Sequence, residues 1–103
     1  MEKTEIIIKA IEDHFGLPIS FMKGRTRLPE VREPRQLAIH FIRKYSGLSI
    51  EKSSRILNRH HSTGIHANKV IENELATNSE YKRKYDVLDN IILNKINDGQ
   101  ECS

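Results

Sequence analysis

The sequence predicts an all-α protein, a small helical bundle built around two helices that meet at a tight corner. Three observations predict it. Apolar residues recur at spacings of three and four along most of the chain, which is the helical period. Prolines and glycines are few, three and five in 103 residues, so little interrupts helix formation. Capping residues stand just ahead of the periodic stretches. With 37% hydrophobic and 30% charged residues the composition is that of a soluble globular protein. At this length residues 1–103 form one domain, enough for a single helical core but not for a catalytic domain with a cofactor fold.

The first helix spans Lys3 to Phe15, with Ile7, Ile8, Ile11 and Phe15 on one face, Thr4 as N-cap and Gly16 as stop. Leu17 and Pro18 restart the chain, and Ile19 to Met22 form a brief apolar helix ending at Gly24. From Gly24 to Gln36, Gly24, Pro29 and Pro34 rule out one continuous helix, and Arg25, Arg27, Arg32 and Arg35 crowd the span, so it reads as an exposed basic loop. Pro34 suits the first position of the next helix, with Glu33 at its positive end. That helix buries Leu37, Ala38, Phe41, Ile42 and Tyr45, turns Arg35, Arg43 and Lys44 outward, and stops at Gly47.

Leu48 to Ile71 is the stretch the rest serves. Ser49 caps a helix whose Ile50 and Leu57 fall seven apart, with Ser53 and Ser54 as small residues that permit close packing. Asn58, Arg59 and His60 make the corner. A second helix starts near His61 and carries Gly64, Ala67, Ile71 and Leu75 on one face. Its first turn presents His61, Ser62 and Thr63 beside a cationic corner, with no acid between Lys52 and Val70. A helix-turn-helix needs such a recognition helix, although many helix pairs with a short corner never touch DNA. Ala76 to Asn78 then break the chain. Ser79 caps a last helix running to about Asp98, striped by Tyr81, Tyr85, Leu88, Ile92 and Ile96, and the closing residues fray.

Charge supports the DNA reading. From Lys23 to Lys69, 11 Lys or Arg stand against three acids, a local +8 in a chain of net +3. Such segregation is the footprint of a polyanion partner. No stretch is apolar enough to span a bilayer and no secretory pattern opens the chain, so the cytosol is the default and no membrane partner is expected. The lone Cys102 reads as an inert tail residue. Glu30 and Glu33 lie among arginines that keep them ionised, and Glu12 and Asp13 face different directions, so no catalytic pair forms and no enzyme is expected. His61 and His66 lie about 140° apart around their helix, which argues against a metal shared with His60. His40 and His66 read as partly buried, hydrogen-bonded packing residues, and the three tyrosines as core.

At this point the residues resemble the C-terminal DNA-binding domain of the bacterial replication initiator DnaA, an all-helical, Trp-repressor-like helix-turn-helix fold. The carriers are the basic loop followed by Pro34, Arg35, Gln36 and Ala38; a short helix introduced by Leu48 and Ser49; and RHHSTGIHA, Arg59 to Ala67, which looks like the family's RDHTTVLHA. The resemblance covers about residues 6–75, leaving 79–98 as an additional helix. It implies binding to duplex sites of the DnaA-box type in replication initiation or its regulation. By position it implies that His61, Ser62 and Thr63 contact bases and phosphates in the major groove. Arg43 falls where the family has a DNA-approaching lysine, and Arg35 and Gln36 match an Arg-Gln pair that meets backbone and bases. Arg27, or Arg25 if the loop register shifts, matches an arginine inserted in the minor groove. Arg59 and His60 at the corner complete the candidate DNA-binding set, with Arg55 and Lys69 as further phosphate contacts.

The chain departs from the pattern too. His60 replaces an aspartate that would cap the recognition helix, and Gly64 replaces a β-branched residue at about 1 kcal/mol of helix propensity unless close packing requires it. The corner is one residue shorter. No GxxxxGK[ST] occurs, so origin melting by this polypeptide alone is not implied, and no cofactor is expected. Two alternatives stand beside DNA binding in replication: a transcriptional regulator, or an interaction module whose residues 79–98 bind a protein partner or a second copy.

Overall fold

The computed structural model describes residues 2–24 and 29–101. Among them the backbone forms six helices and no strand: α1 (Glu2–Phe15), α2 (Ile19–Lys23), α3 (Pro29–Ser46), α4 (Ile50–Ile56), α5 (His61–Thr77) and α6 (Ser79–Glu101). The stretch Leu37 to Ile42 of α3, apolar but for His40, explains the helix's place in the middle of the bundle, where it packs against α1, α2, α4 and α5. Ile7 and Ile11 of α1, Phe41 and Ile42 of α3, Ile71 of α5 and Leu88 and Ile92 of α6 meet in one core, each essentially inaccessible to water. α6 closes the bundle against α1 and α5. The stripe read on α6 is spent there, Tyr85, Leu88, Ile92 and Ile96 being buried and Tyr81 half-buried.

Several boundaries differ from the sequence expectation. Thr4 does not cap α1, which starts earlier. Its side chain is buried, with its hydroxyl 3.2 Å from that of Ser46 at the far end of α3. α3 opens at Pro29, so Pro34 lies inside it rather than at its head. A proline there deprives the Glu30 carbonyl of its helical donor. Burial of the Pro34 ring offsets that loss. Residues 29–36 are therefore helix rather than loop, and residues 25–28 of the basic segment, Arg25 and Arg27 among them, lie outside the described residues.

The break after α5 is the single residue Asn78, and Asn78 rather than Ser79 caps α6, its side-chain oxygen accepting from the Tyr81 N–H at 3.1 Å. α6 continues to Glu101, past the expected end near Asp98. Other signals match: Gly16 and Gly47 end their helices at φ +67° and +72°, where a side chain would be strained, and Ser49 accepts from Lys52 N–H at 3.2 Å. Glu12 accepts from the Ile19 N–H at 2.7 Å at the start of α2.

A polar network ties α3, α5 and α6 together. The His40 ring nitrogens lie 3.1 Å from Asn68 Oδ1 on α5 and 2.6 Å from the Tyr85 hydroxyl on α6. Asn68 Oδ1 can only accept, so Nδ1 carries the proton and Nε2 accepts from Tyr85. Lys44 Nζ donates to Asp89 at 3.2 Å and to the Tyr85 oxygen at 3.4 Å, and lies within 6 Å of the ring centres of Phe41, Tyr45 and Tyr85. Tyr45 donates to Asp89, and burial and that carboxylate push its pKa up to about 12.

Burial holds the His40 imidazole below its ordinary pKa of 6.5; Lys44 and Arg43 add to the depression, while the Asn68 hydrogen bond and Asp89 oppose it. The unfolded chain therefore binds a proton near pH 6.5 that the folded chain takes up only at lower pH. Its contribution to stability is complete above that value and is lost as the pH falls toward the folded one. The urea midpoint should drop between about pH 7.5 and about pH 5.5, and His40→Gln should flatten the drop. An equally steep drop in His40→Gln would assign the acid sensitivity to other groups.

Candidate nucleic-acid interface

The helix–corner–helix is built from small residues and closed by backbone hydrogen bonds. Past the last residue of α4, Asn58 adopts φ +57°, a left-handed conformation that asparagine tolerates better than most. Its N–H donates to Arg55 O at 2.8 Å and the Arg59 N–H to Ser54 O at 2.9 Å, the Schellman pattern that satisfies the last carbonyls of a helix. The chain then turns directly into α5. Where α4 and α5 cross, Ser53, Ser54 and Gly64 are buried, and the two serine hydroxyls make no hydrogen bond. A Cβ on Gly64 would overlap Ser54 Oγ and stand 3.3 Å from Ile50 Cγ2, so close packing requires the glycine.

His60 supplies the cap that an aspartate would otherwise give. Its Nδ1 accepts from the Ser62 N–H at 3.2 Å and lies 2.9 Å from the Ser62 hydroxyl. The capping group is thus an imidazole nitrogen rather than a carboxylate. The ring also packs on that of His61, with centres 4.1 Å apart. His61 and Ser62 are exposed and Thr63 is half-buried.

Because Gly64, Ala67 and Ile71 face the core, the opposite side of α5 is fixed by periodicity. Ser62, Ile65, His66 and Lys69 all lie within about 60° of the direction opposite the buried stripe, and all four are exposed. His66 therefore belongs to the outer face and is not the packing residue expected from the sequence. Beside this face, Arg32, Arg35 and Gln36 of α3 join Thr63 and His66 around a concavity of about 200 Å³. Partial burial, then the charges of Arg59 and Arg32, depress the Arg35 pKa; its Nε donates to Met22 O at 2.8 Å, which fixes the guanidinium at the edge of the concavity. Neighbouring like charges disfavour one another.

Arg43 is exposed on the same stripe of α3 as Arg32 and Gln36, about 16 Å beyond the first and about 10 Å beyond the second. Arg59 is turned to structural use: its guanidinium donates to the Gly24 carbonyl, and to its neighbour Asn58 O at 3.3 Å. Arg55 pairs with Glu51 at 2.9 Å in an exposed ion pair that contributes little to stability. Among the expected residues, the structure brings together Arg35, Gln36 and Thr63, with His61 and Ser62 on the adjoining first turn. Arg32, Ile65 and His66 stand with them but were absent from the candidate set read from the sequence. The spacing of three and four from Ser62 would have found Ile65 and His66, whereas Arg32 was hidden by the misplaced helix start.

Two helices crossing at buried small residues, with a capped and solvent-facing second helix, define a helix-turn-helix protein. The chain belongs to the bacterial DnaA helix-turn-helix family, whose pattern matches residues 4–71. It is similar to the chromosomal replication initiator protein DnaA of Flavobacterium psychrophilum, 32% identical over 83 residues, which are 80% of this chain and 17% of that protein. The DnaA protein of Wolbachia sp. subsp. Brugia malayi is 37% identical over 76 residues, 73% of this chain and 16% of its own length. That of Treponema pallidum (strain Nichols) is 32% identical over 94 residues, 90% of this chain and 20% of the relative. The last match takes in most of α6. The chain thus spans a fifth or less of the length of these relatives.

Proposed function

We propose that this chain is a sequence-specific duplex-DNA-binding unit, acting in replication initiation or its regulation at sites of the DnaA-box type. α5 enters the major groove from His61 onward. Arg25 and Arg27, in the segment between α2 and α3, follow the backbone into the adjacent minor groove, as their match to the family pattern suggests. Arg35, Gln36, Thr63 and Arg43 hold phosphates. Arg59 and His60 act mainly by shaping the corner and capping the reading helix. The observation that carries the reading is the union of an acid-free outer face on α5 with the Arg32–Arg35 concavity beside it. A role as a binding module on the bacterial nucleoid, in the cytoplasm, follows from it. Docking of a partner or second copy through residues 79–98 loses its main support, because the apolar stripe of α6 is buried.

The test is fluorescence anisotropy with a labelled duplex carrying a DnaA box against a shuffled duplex, at near-physiological salt, for wild type and His61→Ala. A preference for the box of about a hundredfold or more, reduced about tenfold by the substitution, is expected. Equal, salt-sensitive binding to both duplexes would replace the box by another target, and no binding to either would overturn the reading.

A further inference from the structure

We propose that the cavity between α1, α3 and α6 is a binding site for a small organic amine, an apolar body with one cationic head, and that Glu33 holds the head. The inference does not depend on the DNA-binding reading. The cavity has a volume of about 370 Å³, within the range of small-molecule sites. Its walls are apolar: Phe15 at the end of α1, Leu37 of α3, and Tyr81, Leu88 and the ring of Tyr85 on α6. Phe15 and Tyr81 pack on the core yet remain half-buried, so each has apolar surface left for a ligand.

Charge selects the ligand. Beside the tyrosines, the ionisable lining residues are His14, Glu33 and Lys84. Lys84 already faces Glu80 at 3.7 Å, one turn back on α6, and the His14 ring packs edge-on against Phe15 with centres 4.9 Å apart. Arg32 and Arg35 line the separate concavity beside α5. Glu33 is exposed and pairs with no cation among the described residues. Burial, then the charges of Glu33 and Glu74, push the Tyr81 pKa up to about 12, which marks this wall as a place of negative potential. Aromatic faces attract a cation as well. An amine with an apolar body meets both demands, whereas a neutral ligand leaves the carboxylate unpaired and an anion is repelled by it. A protein partner fits less well. The large apolar side chains exposed among the described residues, Phe21, Ile65, Val87 and Leu93, do not line the cavity, so the apolar surface ends at its mouth, far short of the area a protein interface buries.

The experiment titrates the whole, isotope-labelled chain with phenethylamine and follows it by nuclear magnetic resonance. The signals of Leu37, Tyr81 and Leu88 should move and saturate. Phenethyl alcohol, with the same body and no charge, should bind about tenfold more weakly, the worth of one charge-assisted hydrogen bond. Hydrocinnamate, with the charge reversed, should bind more weakly still. Glu33→Gln should bring the affinity for the amine down to that for the alcohol, leave the affinity for the alcohol unchanged, and retain the wild-type melting temperature. Equal binding of amine and alcohol to wild type overturns the proposal, and so does a Glu33→Gln protein that keeps the preference for the amine. Shifts scattered over the exposed acids rather than gathered at the cavity, or no saturation by about 10 mM amine, overturn it too. None of these outcomes bears on DNA binding, which the anisotropy experiment decides separately.

Discussion

Replacement of Gly64 by leucine should destabilise the protein by about 3 kcal/mol, the upper part of the range for overpacking a tight interior site. The new side chain has nowhere to go: its Cβ alone meets Ser54 Oγ, Ile50 Cγ2 and Ile39 Cγ2. Gly64→Ala is the sharper experiment, because helix propensity favours alanine by about 1 kcal/mol and sterics oppose it. Sterics should win, with a net loss of about 1 kcal/mol. Ser54→Ala removes the overlapping atom, leaving contacts of 3.3 and 3.5 Å at the built Cβ. It also deletes a buried hydroxyl that makes no hydrogen bond, so alone it should be neutral or slightly stabilising. The double variant should therefore regain the loss, giving a coupling of about 1 kcal/mol or more in a double-mutant cycle read from urea midpoints. A Gly64→Ala protein more stable than wild type would show that α4 and α5 can separate without cost.

The second large effect concerns binding. Arg32→Ala combined with Arg35→Ala should weaken duplex binding about a hundredfold at near-physiological salt, taking each charge-assisted phosphate contact at about 1.5 kcal/mol. It should also flatten the plot of log affinity against log salt by nearly two, the counterions released by two phosphates. Shuffled and preferred duplexes should suffer alike, since these contacts position the protein without reading bases. Arg35 needs a control because its Nε holds the Met22 carbonyl. Arg35→Lys keeps the charge and loses that fork geometry, so a fall in affinity with an unchanged salt slope is expected of it. An unchanged slope in the double variant would remove the concavity from the DNA-binding surface.

How far the sequence could be read depended on whether the deciding signal was local. The α4–α5 pair was legible because small residues, a cap and a stripe of three-and-four spacing all lie within one stretch, and the spacing alone puts Gly64, Ala67 and Ile71 on the core side. The start of α3 was not legible. Pro34 is as good a helix opener as Pro29 by local rules, and what decides between them is burial of its ring in the bundle. Asn78 and Ser79 are both capping types, and only the geometry of the α5–α6 joint selects the first. The expectation of a packing role for His66 fails although the stripe on its own helix, Gly64, Ala67 and Ile71, already places it outside. The side-chain uses of Arg35 and Arg59 could not be read at all, since their acceptors, Met22 O and Gly24 O, lie 13 and 35 residues away. The minor-groove role proposed for Arg25 and Arg27 rests on the family resemblance alone.

The hydrogen bonds that run from Lys44 through Tyr85 and His40 to Asn68 end on the helix that faces outward with Ser62 and Ile65. Asn68 sits on the inner flank of α5, so the bond from His40 fixes the roll of that helix about its own axis, as a key fixes a shaft. A rotation of one residue's worth, about 100°, would carry Ser62 and His66 off the outer face of the helix. Under the proposed function, the fidelity of reading is delegated in part to α6, whose Tyr85 completes the chain from behind without approaching the outer face of α5. Discrimination between sequences can then be eroded by substitutions on the far side of the molecule, at positions that a map of DNA contacts would leave blank.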